Sequence, residues 1–166
     1  MTALKKIQNK IVNWDEALLR VTDWKAQGDS LVFTNGCFDL MHIGHLDYLS
    51  KARDLGARLI IGLNSSESVS RLKGPSRPIN SNDSRGQMLA AFEFVDLVVL
   101  FSEDTPLELI NHLQPNILVK GGDYVKDNIV GAKEVEKAGG TVEIIKFVDG
   151  YSTTALVTKI QNLNKF

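Results

Sequence analysis

Residues 31–56, with the sequence LVFTNGCFDLMHIGHLDYLSKARDLG, decide the fold. The apolar and β-branched residues 31–34 predict a strand, a polar turn follows, and residues 43–55 predict a helix that ends at Gly56. Four more apolar runs alternate with helical patterns down to the C-terminus, over residues 59–63, 97–101, 117–119 and 142–147. Continuously apolar strands that alternate with helices are typical of a parallel sheet with helices on both faces. The sequence therefore predicts an α/β, doubly wound, Rossmann-like domain with a five-stranded parallel sheet.

Residues 1–28 precede this alternating region. Asn13, followed three positions later by Glu16, indicates a helix start, and apolar residues recur at helical spacing up to Trp24 before Gly28 ends the pattern. A chain of 166 residues is long enough for one large hydrophobic core. We therefore expect one domain over residues 1–166, with residues 1–28 forming a helical extension packed on it.

The charges of the chain are nearly balanced, because 19 basic and 20 acidic residues give a net charge of -1. This balance disfavours a general nucleic-acid binder, which needs a basic surface. Cys37 is the one cysteine, which rules out an internal disulfide framework and fits a reducing compartment. We find no apolar leader at the N-terminus and no apolar run of about 18 residues. The expectation is a cytoplasmic protein with neither a membrane nor a nucleic acid as partner.

Polar residues and glycines follow the predicted strands. In an open parallel sheet, ligands bind in the crevice beyond the carboxyl ends of the strands, where these residues converge. The set comprises Asn35, Gly36, Asp39, His42, Gly44 and His45 after the first strand, Asn64, Lys73 and Arg77 after the second, Lys120, Gly122 and Asp123 after the fourth, and Ser152, Thr153 and Thr154 after the fifth. The sequence thus predicts one crevice rich in groups that are compatible with phosphate.

His42 and His45 lie three positions apart at the predicted strand-to-helix transition. Two imidazoles at this spacing share one helix face, beside backbone N–H groups that attract anions, and Gly44 lets a phosphate or a nucleobase approach the backbone. Such histidines can stabilise the charge that develops in a phosphoryl-type transition state. Two other interpretations stay open: a structural pair that caps the helix, and a metal site that adds Cys37 and Asp39 as ligands.

Three cations and a run of hydroxyls complete the predicted crevice. Lys73 and Arg77 lie in a Gly- and Pro-rich segment, which suits closure over a triphosphate and neutralisation of a departing pyrophosphate. Lys120 directly follows an apolar strand, and residues 152–154 begin the last predicted helix, where phosphate binds readily. Each cation could instead be a solvated loop residue, and Ser152 a plain helix cap.

Neither a P-loop motif nor G-x-G-x-x-G after the first strand is present, which disfavours a P-loop kinase and a dinucleotide oxidoreductase.

The segment from Asn35 to His45 resembles the G-x-F-D-x-x-H-x-G-H segment of the cytidylyltransferase-like nucleotidyltransferase superfamily. Three further segments are similar to bacterial D-glycero-β-D-manno-heptose 1-phosphate adenylyltransferases: 71–78 (RLKGPSRP), 118–124 (LVKGGDY) and 149–154 (DGYSTT). The match runs from about Lys10 to the C-terminus. In that family the domain is often fused behind a sugar kinase, whereas we expect this chain to be a stand-alone form.

The resemblance implies transfer of AMP from ATP to heptose 1-phosphate, which gives pyrophosphate and ADP-heptose, a precursor of lipopolysaccharide or surface-layer glycans. It implies His42, His45 and Lys73 as catalytic residues, with Lys73 on the β- and γ-phosphates and Mg²⁺ as the cofactor. The nucleotide-binding residues that we expect are Asn35, Gly36, Phe38, Gly44, Lys120, Gly122, Asp123, Ser152, Thr153 and Thr154. The expected acceptor-binding residues are Asp39, Asn64, Arg77 and Arg85, and Asp39 is also the candidate ligand of Mg²⁺.

The last predicted helix departs from the family pattern. Residues 152–154 correspond to the second motif of the superfamily, and many members have an arginine or lysine a few residues into it. Here residues 155–158 are Ala-Leu-Val-Thr, and Lys159 comes later. We therefore expect Arg77 or Arg85 to supply this cation.

Two alternative functions stay open: a cytidylyltransferase that acts on glycerol 3-phosphate or an amino-alcohol phosphate, and a non-catalytic nucleotide-binding module. As partners, the resemblance implies a second copy in a homodimer and a separate heptose kinase in the same pathway.

Overall fold

A parallel β-sheet forms the centre of the molecule. The structure is a computed structural model that describes residues 1–122, 124–148 and 150–163, apart from the side chain of Asp127. Its strands are β1 (Ile11–Val12), β2 (Leu31–Gly36), β3 (Arg58–Asn64), β4 (Leu97–Phe101), β5 (Ile117–Gly121) and β6 (Thr141–Ile145). They lie in the order β1-β4-β3-β2-β5-β6 with all neighbours parallel. The predicted doubly wound α/β fold is confirmed, with six strands rather than five.

Helices cover both faces of the sheet. They are α1 (Ala3–Gln8), α2 (Trp14–Ala26), α3 (Ile43–Asp54), α4 (Ser66–Lys73), α5 (Asn82–Ala90), α6 (Leu107–Leu113), α7 (Ala132–Lys137) and α8 (Thr153–Leu163), with a 3₁₀ turn at Lys126–Asn128. Consecutive residues of β2 point to opposite faces: Phe33 joins the core under α2, α6 and α7, and Val32 joins the core under α3 and α5. Both are fully buried, as a two-sided parallel sheet requires.

The N-terminal extension is more than a helix, which corrects the sequence prediction. Asn13 caps α2 as expected, since its side chain accepts a hydrogen bond from the Glu16 N–H. Before it, β1 pairs in parallel with β4, with Ile11 opposite Val98 and Val12 opposite Val99. A strand of two residues has no detectable period, so its existence depends on the neighbouring strand rather than on its own sequence.

The position of β2 explains where the site lies. β2 pairs with β3 on one side and with β5 on the other, so the strand order reverses there. The carboxyl ends of β2, β3 and β5 therefore point to the same edge, at the switch point where doubly wound sheets bind ligands. Loops at the opposite edge hold structural contacts instead, such as the ion pairs of Arg58 with Asp29 and Asp96.

The helix boundary at residues 139 and 140 generates a test of the fold. Adding a Cβ at Gly140 would place it 2.5 Å from the Asn116 backbone oxygen and 2.7 Å from Val135 Cγ1, whereas Gly139, with φ +85°, has open space around it. We expect Gly140→Ala to lower the free energy of unfolding by about 3 kcal/mol, because backbone atoms must move. The matched variant Gly139→Ala should lower it by about 1 kcal/mol, from backbone strain alone. Urea unfolding of both variants measures the difference, and equal losses would contradict the packing argument.

Candidate active site

A cavity of about 440 Å³ opens at the carboxyl ends of β2, β3 and β5. Its walls come from the loops after these strands, the end of α4 and the start of α8. The residues predicted from the sequence that line it are Asn35, Gly36, Phe38, Asp39, His45, Asn64, Lys73, Arg77, Lys120, Thr153 and Thr154. The structure thus brings together groups from five separate segments of the chain. His42, Gly44, Arg85, Gly122 and Ser152 lie outside the wall of this cavity, and Asp123 lies outside the described residues.

His42 and His45 stack against each other at the start of α3. Their ring centroids are 3.8 Å apart with an angle of 28° between the planes. The backbone N–H of His42 donates to Nδ1 of His45 at 3.3 Å, so Nδ1 is unprotonated and the proton of the neutral ring lies on Nε2. His45 therefore caps the helix through one nitrogen, in keeping with the structural interpretation, and keeps an N–H donor on the other.

Both imidazoles are electrically neutral near neutral pH. Burial, and secondarily the neighbouring His42, lower the pKa of His45 to about 4. Burial also lowers the pKa of His42. His45 lines the cavity, so it offers a neutral N–H donor that needs no proton from solvent. A donor fixed in this way is suited to an oxyanion that develops charge during a reaction.

Gly44 makes room for a histidine ring. A Cβ at this position would lie 3.0 Å from Nδ1 of His42 and 3.3 Å from Cβ of Tyr151. That Nδ1 is buried and has no hydrogen-bond partner among the described residues. A side chain at position 44 would therefore press on the His42 ring, and the role predicted for Gly44, space for the nucleotide, stays a prediction.

The first loop, which we define as residues 37–42 between β2 and α3, is packed around Phe38. The Phe38 backbone has a φ of 45°, which is uncommon for a residue other than glycine. Its ring packs edge-on to His45, with the centroids 5.5 Å apart, and a Cβ at Gly36 would lie 2.9 Å from it. Strained backbone at such a position fits a loop whose conformation is set by its surroundings. The Phe38 ring thus supports the first loop where that loop lines the cavity.

Asp39 is committed to internal hydrogen bonds. Its carboxylate accepts the backbone N–H groups of Ile79 (2.8 Å) and Asn80 (2.9 Å), and Oδ2 lies 3.2 Å from Nε of Arg77. The carboxylate therefore fastens the loop between α4 and α5 to the first loop. These bonds use much of the acceptor capacity of the carboxylate, and the roles predicted for Asp39, acceptor binding and Mg²⁺ ligation, stay predictions.

The metal interpretation also lacks a ligand set. Among the residues that the structure describes, no group of three or more His, Cys, Asp or Glu side chains is arranged to hold a metal ion. Cys37 and Asp39 do not converge with the two histidines in such a group. A zinc site, which needs about four such ligands, is therefore not supported by the described residues.

Arg85 is also an internal residue, which corrects a prediction. Only 1% of its surface is exposed, and its guanidinium donates to protein oxygen atoms rather than to the cavity. It can serve neither as an acceptor ligand nor as the cation missing from α8 in this conformation. Arg77, by contrast, lines the cavity while paired with Asp39.

Lys120 is a partly buried cation at the end of β5. Its ammonium donates to Oδ1 of Asn35 on β2 at 2.6 Å, and burial lowers its pKa to about 8. Removing an ammonium from water is costly, so a phosphate oxygen that pairs with it gains more than at the surface. Lys120 is the sequence-predicted cation with the strongest electrostatic reason to bind an anion.

A second cavity of about 200 Å³ adjoins the first and has aromatic walls. The two share His45 and Lys120, and the second adds Tyr48 and Phe147. The ring of Phe147 occupies the space beside Gly121, where a Cβ would lie 2.3 Å from it. Neither aromatic residue is predicted from the sequence as part of the site. The sequence pattern places Phe147 in the strand over residues 142–147, whereas β6 ends at Ile145 and Phe147 follows it at the edge where the site lies.

The start of α8 contributes hydroxyls in different ways. The Ser152 Oγ accepts the Ala155 N–H at 3.0 Å, which is ordinary helix capping. Thr153 Oγ1 donates to the Leu40 carbonyl at 3.4 Å and so links α8 to the first loop. Thr153 and Thr154 line the larger cavity, but no cation of α8 does.

The proteins to which this chain is similar in sequence agree with the geometry of the crevice. The sequence profile of the family described as cytidylyltransferase-like matches residues 33–161, which include the carboxyl ends of β2, β3 and β5. The chain belongs to the cytidylyltransferase-like family. The resemblance found in the sequence is thereby confirmed, and the two histidines and the cations around the crevice lie in a nucleotidyltransferase domain.

Curated relatives within this family are longer proteins. The chain is 54% identical over 152 residues to the bifunctional protein HldE of Magnetococcus marinus, and the match covers 92% of this chain but 31% of that protein. It is 58% identical over 136 residues to the bifunctional protein HldE of Trichlorobacter lovleyi, covering 82% of this chain and 28% of that protein. The chain therefore spans about a third of the length of these relatives.

Solved structures agree with the cytidylyltransferase-like fold. A lipopolysaccharide core biosynthesis protein from Thermoplasma volcanium matches with a TM-score of 0.59 and 27% identity, covering 75% of this chain and 100% of that one. A pantoate-beta-alanine ligase from Francisella tularensis matches with a TM-score of 0.60 at 16% identity, covering 91% of this chain and 76% of that one, which supports the fold alone. None of the helices in the described residues has the length and apolarity needed to cross a membrane.

We expect His45→Ala to lower kcat by about 10² or more, because it removes one preorganised donor. The readout is pyrophosphate release from ATP with a sugar 1-phosphate acceptor. His112→Ala is the matched control, since His112 lies on α6 and its ring contacts Trp14 rather than the cavity. A decrease below about threefold in a folded His45→Ala protein would remove His45 from the reaction.

We expect the affinity for ATP to fall as the pH rises above about 8, because Lys120 then loses the charge that attracts phosphate. Lys120→Arg keeps a positive charge at every pH of the measurement, so its affinity should not fall in this range. Calorimetric titrations between about pH 7 and about pH 9.5 compare the two proteins. Parallel profiles would show that Lys120 does not contact the nucleotide.

Proposed function

We propose that the protein transfers AMP from ATP to D-glycero-β-D-manno-heptose 1-phosphate and releases pyrophosphate and ADP-heptose. One observation carries the proposal. A neutral, fixed N–H donor on His45 and the partly buried cation of Lys120 both lie on the wall that the two cavities share. The sugar acceptor is supported by the similarity of residues 71–78, 118–124 and 149–154 to heptose 1-phosphate adenylyltransferases. The HldE relatives and the lipopolysaccharide core biosynthesis protein are consistent with it.

The two cavities suggest how the substrates are arranged. Aromatic rings stack on the flat face of a nucleobase, so we assign the nucleoside to the smaller cavity, beside Tyr48 and Phe147. The triphosphate then extends into the larger cavity, toward Lys73 and Arg77. This places the α-phosphate at the shared wall, next to His45 and Lys120. The sugar phosphate enters the larger cavity from the other side, near Asn64.

The reaction needs alignment and charge stabilisation rather than a nucleophilic side chain. An oxygen of the sugar phosphate attacks the α-phosphorus in line, and the bond from that phosphorus to the bridging oxygen of pyrophosphate breaks. The attacking oxygen is already anionic near neutral pH, so no general base is required. The His45 Nε2–H donates to the α-phosphate as its charge redistributes, and Lys73 and Arg77 neutralise the leaving pyrophosphate.

Mg²⁺ is part of the proposal as the companion of ATP. It binds through substrate phosphates and water as readily as through carboxylates, so it does not require Asp39, whose oxygens are already engaged. We assign no protein ligand to it. The roles of Asn35, Gly36, Thr153 and Thr154 in binding the nucleotide stay predictions that the cavity walls are compatible with.

The longer relatives suggest where the acceptor comes from. They are bifunctional, and this chain matches about a third of their length, so a second activity lies outside the matched region. A sugar 1-phosphate must be made by a phosphate-transferring enzyme, and we propose a heptose kinase as the source of the acceptor. The homodimer expected from the resemblance stays a prediction.

The deciding experiment measures pyrophosphate release by the purified protein with Mg²⁺. ATP and CTP are each offered with heptose 1-phosphate and with glycerol 3-phosphate. We expect fast turnover with ATP and heptose 1-phosphate alone. Turnover with CTP and glycerol 3-phosphate would replace the substrates with those of a cytidylyltransferase and keep the mechanism. Absence of turnover with all pairs, from folded protein that binds ATP, would favour a non-catalytic nucleotide-binding module over the proposal.

A further inference from the structure

Arg85 lies at the centre of a hydrogen-bond network beneath the crevice. It belongs to α5 and is 1% exposed. Nη1 donates to the backbone oxygens of Cys37 and Asn64, both at 2.7 Å. Nε donates to the Asn80 backbone oxygen at 3.2 Å, and Nη2 donates to Oδ1 of Asn82 at 2.7 Å. One side chain therefore holds four acceptors in a fixed arrangement.

The acceptors of Arg85 belong to the segments that build the cavity. Cys37 is in the first loop, which leads into the histidines, and Asn64 ends β3. Asn80 follows the loop that bears Arg77, and the same loop is tied to Asp39 from the other side. Arg85 thus connects the segment that supplies the N–H donor with the segments that supply the cations.

The environment of Arg85 is unusual for a purely structural arginine. Among the described residues it makes no ion pair, and its donors go to neutral oxygens. Burying a guanidinium without a paired carboxylate costs free energy, which a planar group offsets only by engaging its N–H donors. The fork geometry of arginine fits several carbonyls at once, and a lysine ammonium at this position could reach fewer of them.

We propose that Arg85 is a positioning residue for the transfer reaction, fixing residues 37–42, which lead into α3 and His45, relative to residues 73–80, which include Lys73 and Arg77. This inference rests on the proposed function. The physical reason is that the His45 donor acts on the α-phosphate while Lys73 and Arg77 act on the leaving pyrophosphate of the same chain. A displacement of about 1 Å between them reduces the rate by about 10²-fold while ground-state contacts persist.

The kinetic test compares Arg85→Lys with Arg58→Lys. Arg58 is a matched control, because it begins the strand that ends at Asn64 and pairs with Asp29 and Asp96 away from the crevice. We expect Arg85→Lys to lower kcat by about 10²-fold and to change KM for ATP by less than about threefold, because Lys73 and Lys120 still bind the phosphates. Arg58→Lys should retain the kcat of the wild type.

A thiol measurement tests the same inference without turnover. Cys37 is the one cysteine of the chain, so a maleimide reports on the first loop alone. Burial raises the pKa of this thiol, so labelling of the wild type should be slow. Loss of the bond to the Cys37 carbonyl should accelerate labelling of Arg85→Lys about tenfold at a temperature where the protein is folded. The result does not depend on the acceptor, so it separates failure of this inference from failure of the proposed function.

Asn82→Ala is the second variant, because it keeps Arg85 and removes one acceptor of its guanidinium, together with the two hydrogen bonds that Ser66 donates to the same oxygen. It should lower kcat and accelerate labelling in the same direction, by smaller factors, and it decides the question if Arg85→Lys does not fold. Reduced thermal stability with wild-type kcat and wild-type labelling rate would overturn the inference and leave Arg85 a residue of the fold alone. A raised KM for ATP with unchanged kcat would overturn it as well.

Discussion

The parallel pairing of β2 with both β3 and β5 is the constraint on which the site depends. Because β2 lies between these strands, its carboxyl end is where the strand order reverses and where loops from both halves of the sheet meet. The contact between Asn35 and Lys120 joins the halves at this point. The histidines follow at the start of α3, so one strand fixes the position of a cation and of an N–H donor together.

Most of the fold could be predicted because its signals are local. The apolar runs of β2 to β6 and the cap at Asn13 depend on residues within a few positions of each other. β1 could not be predicted, since its two residues are a strand only beside β4. α5 ends at Ala90, and Phe92 and Phe94 beyond it stack on each other and pack against the core.

The residues that surround the site could be predicted as a group, but the role of each residue could not. Glycines and polar residues after strands identified the crevice and brought His45, Lys73 and Lys120 to it. The sequence did not distinguish side chains that face the cavity from those that hold its walls. Asp39 and Arg85 have the charges expected of ligands, yet most of their partners are backbone groups, several of them distant in sequence. Such partners depend on loop conformation, which has no local sequence signal.

The short strand β1 has a consequence for how the protein behaves at high concentration. A strand at the edge of a sheet exposes unpaired backbone groups that can template the addition of another chain. β1 covers β4 with two residues, and the Val98 N–H is bonded to the Lys10 carbonyl. The opposite edge, β6, carries the exposed carboxylate of Glu143 in its middle. A short strand at one edge and a charged side chain at the other are both features that disfavour edge-to-edge aggregation.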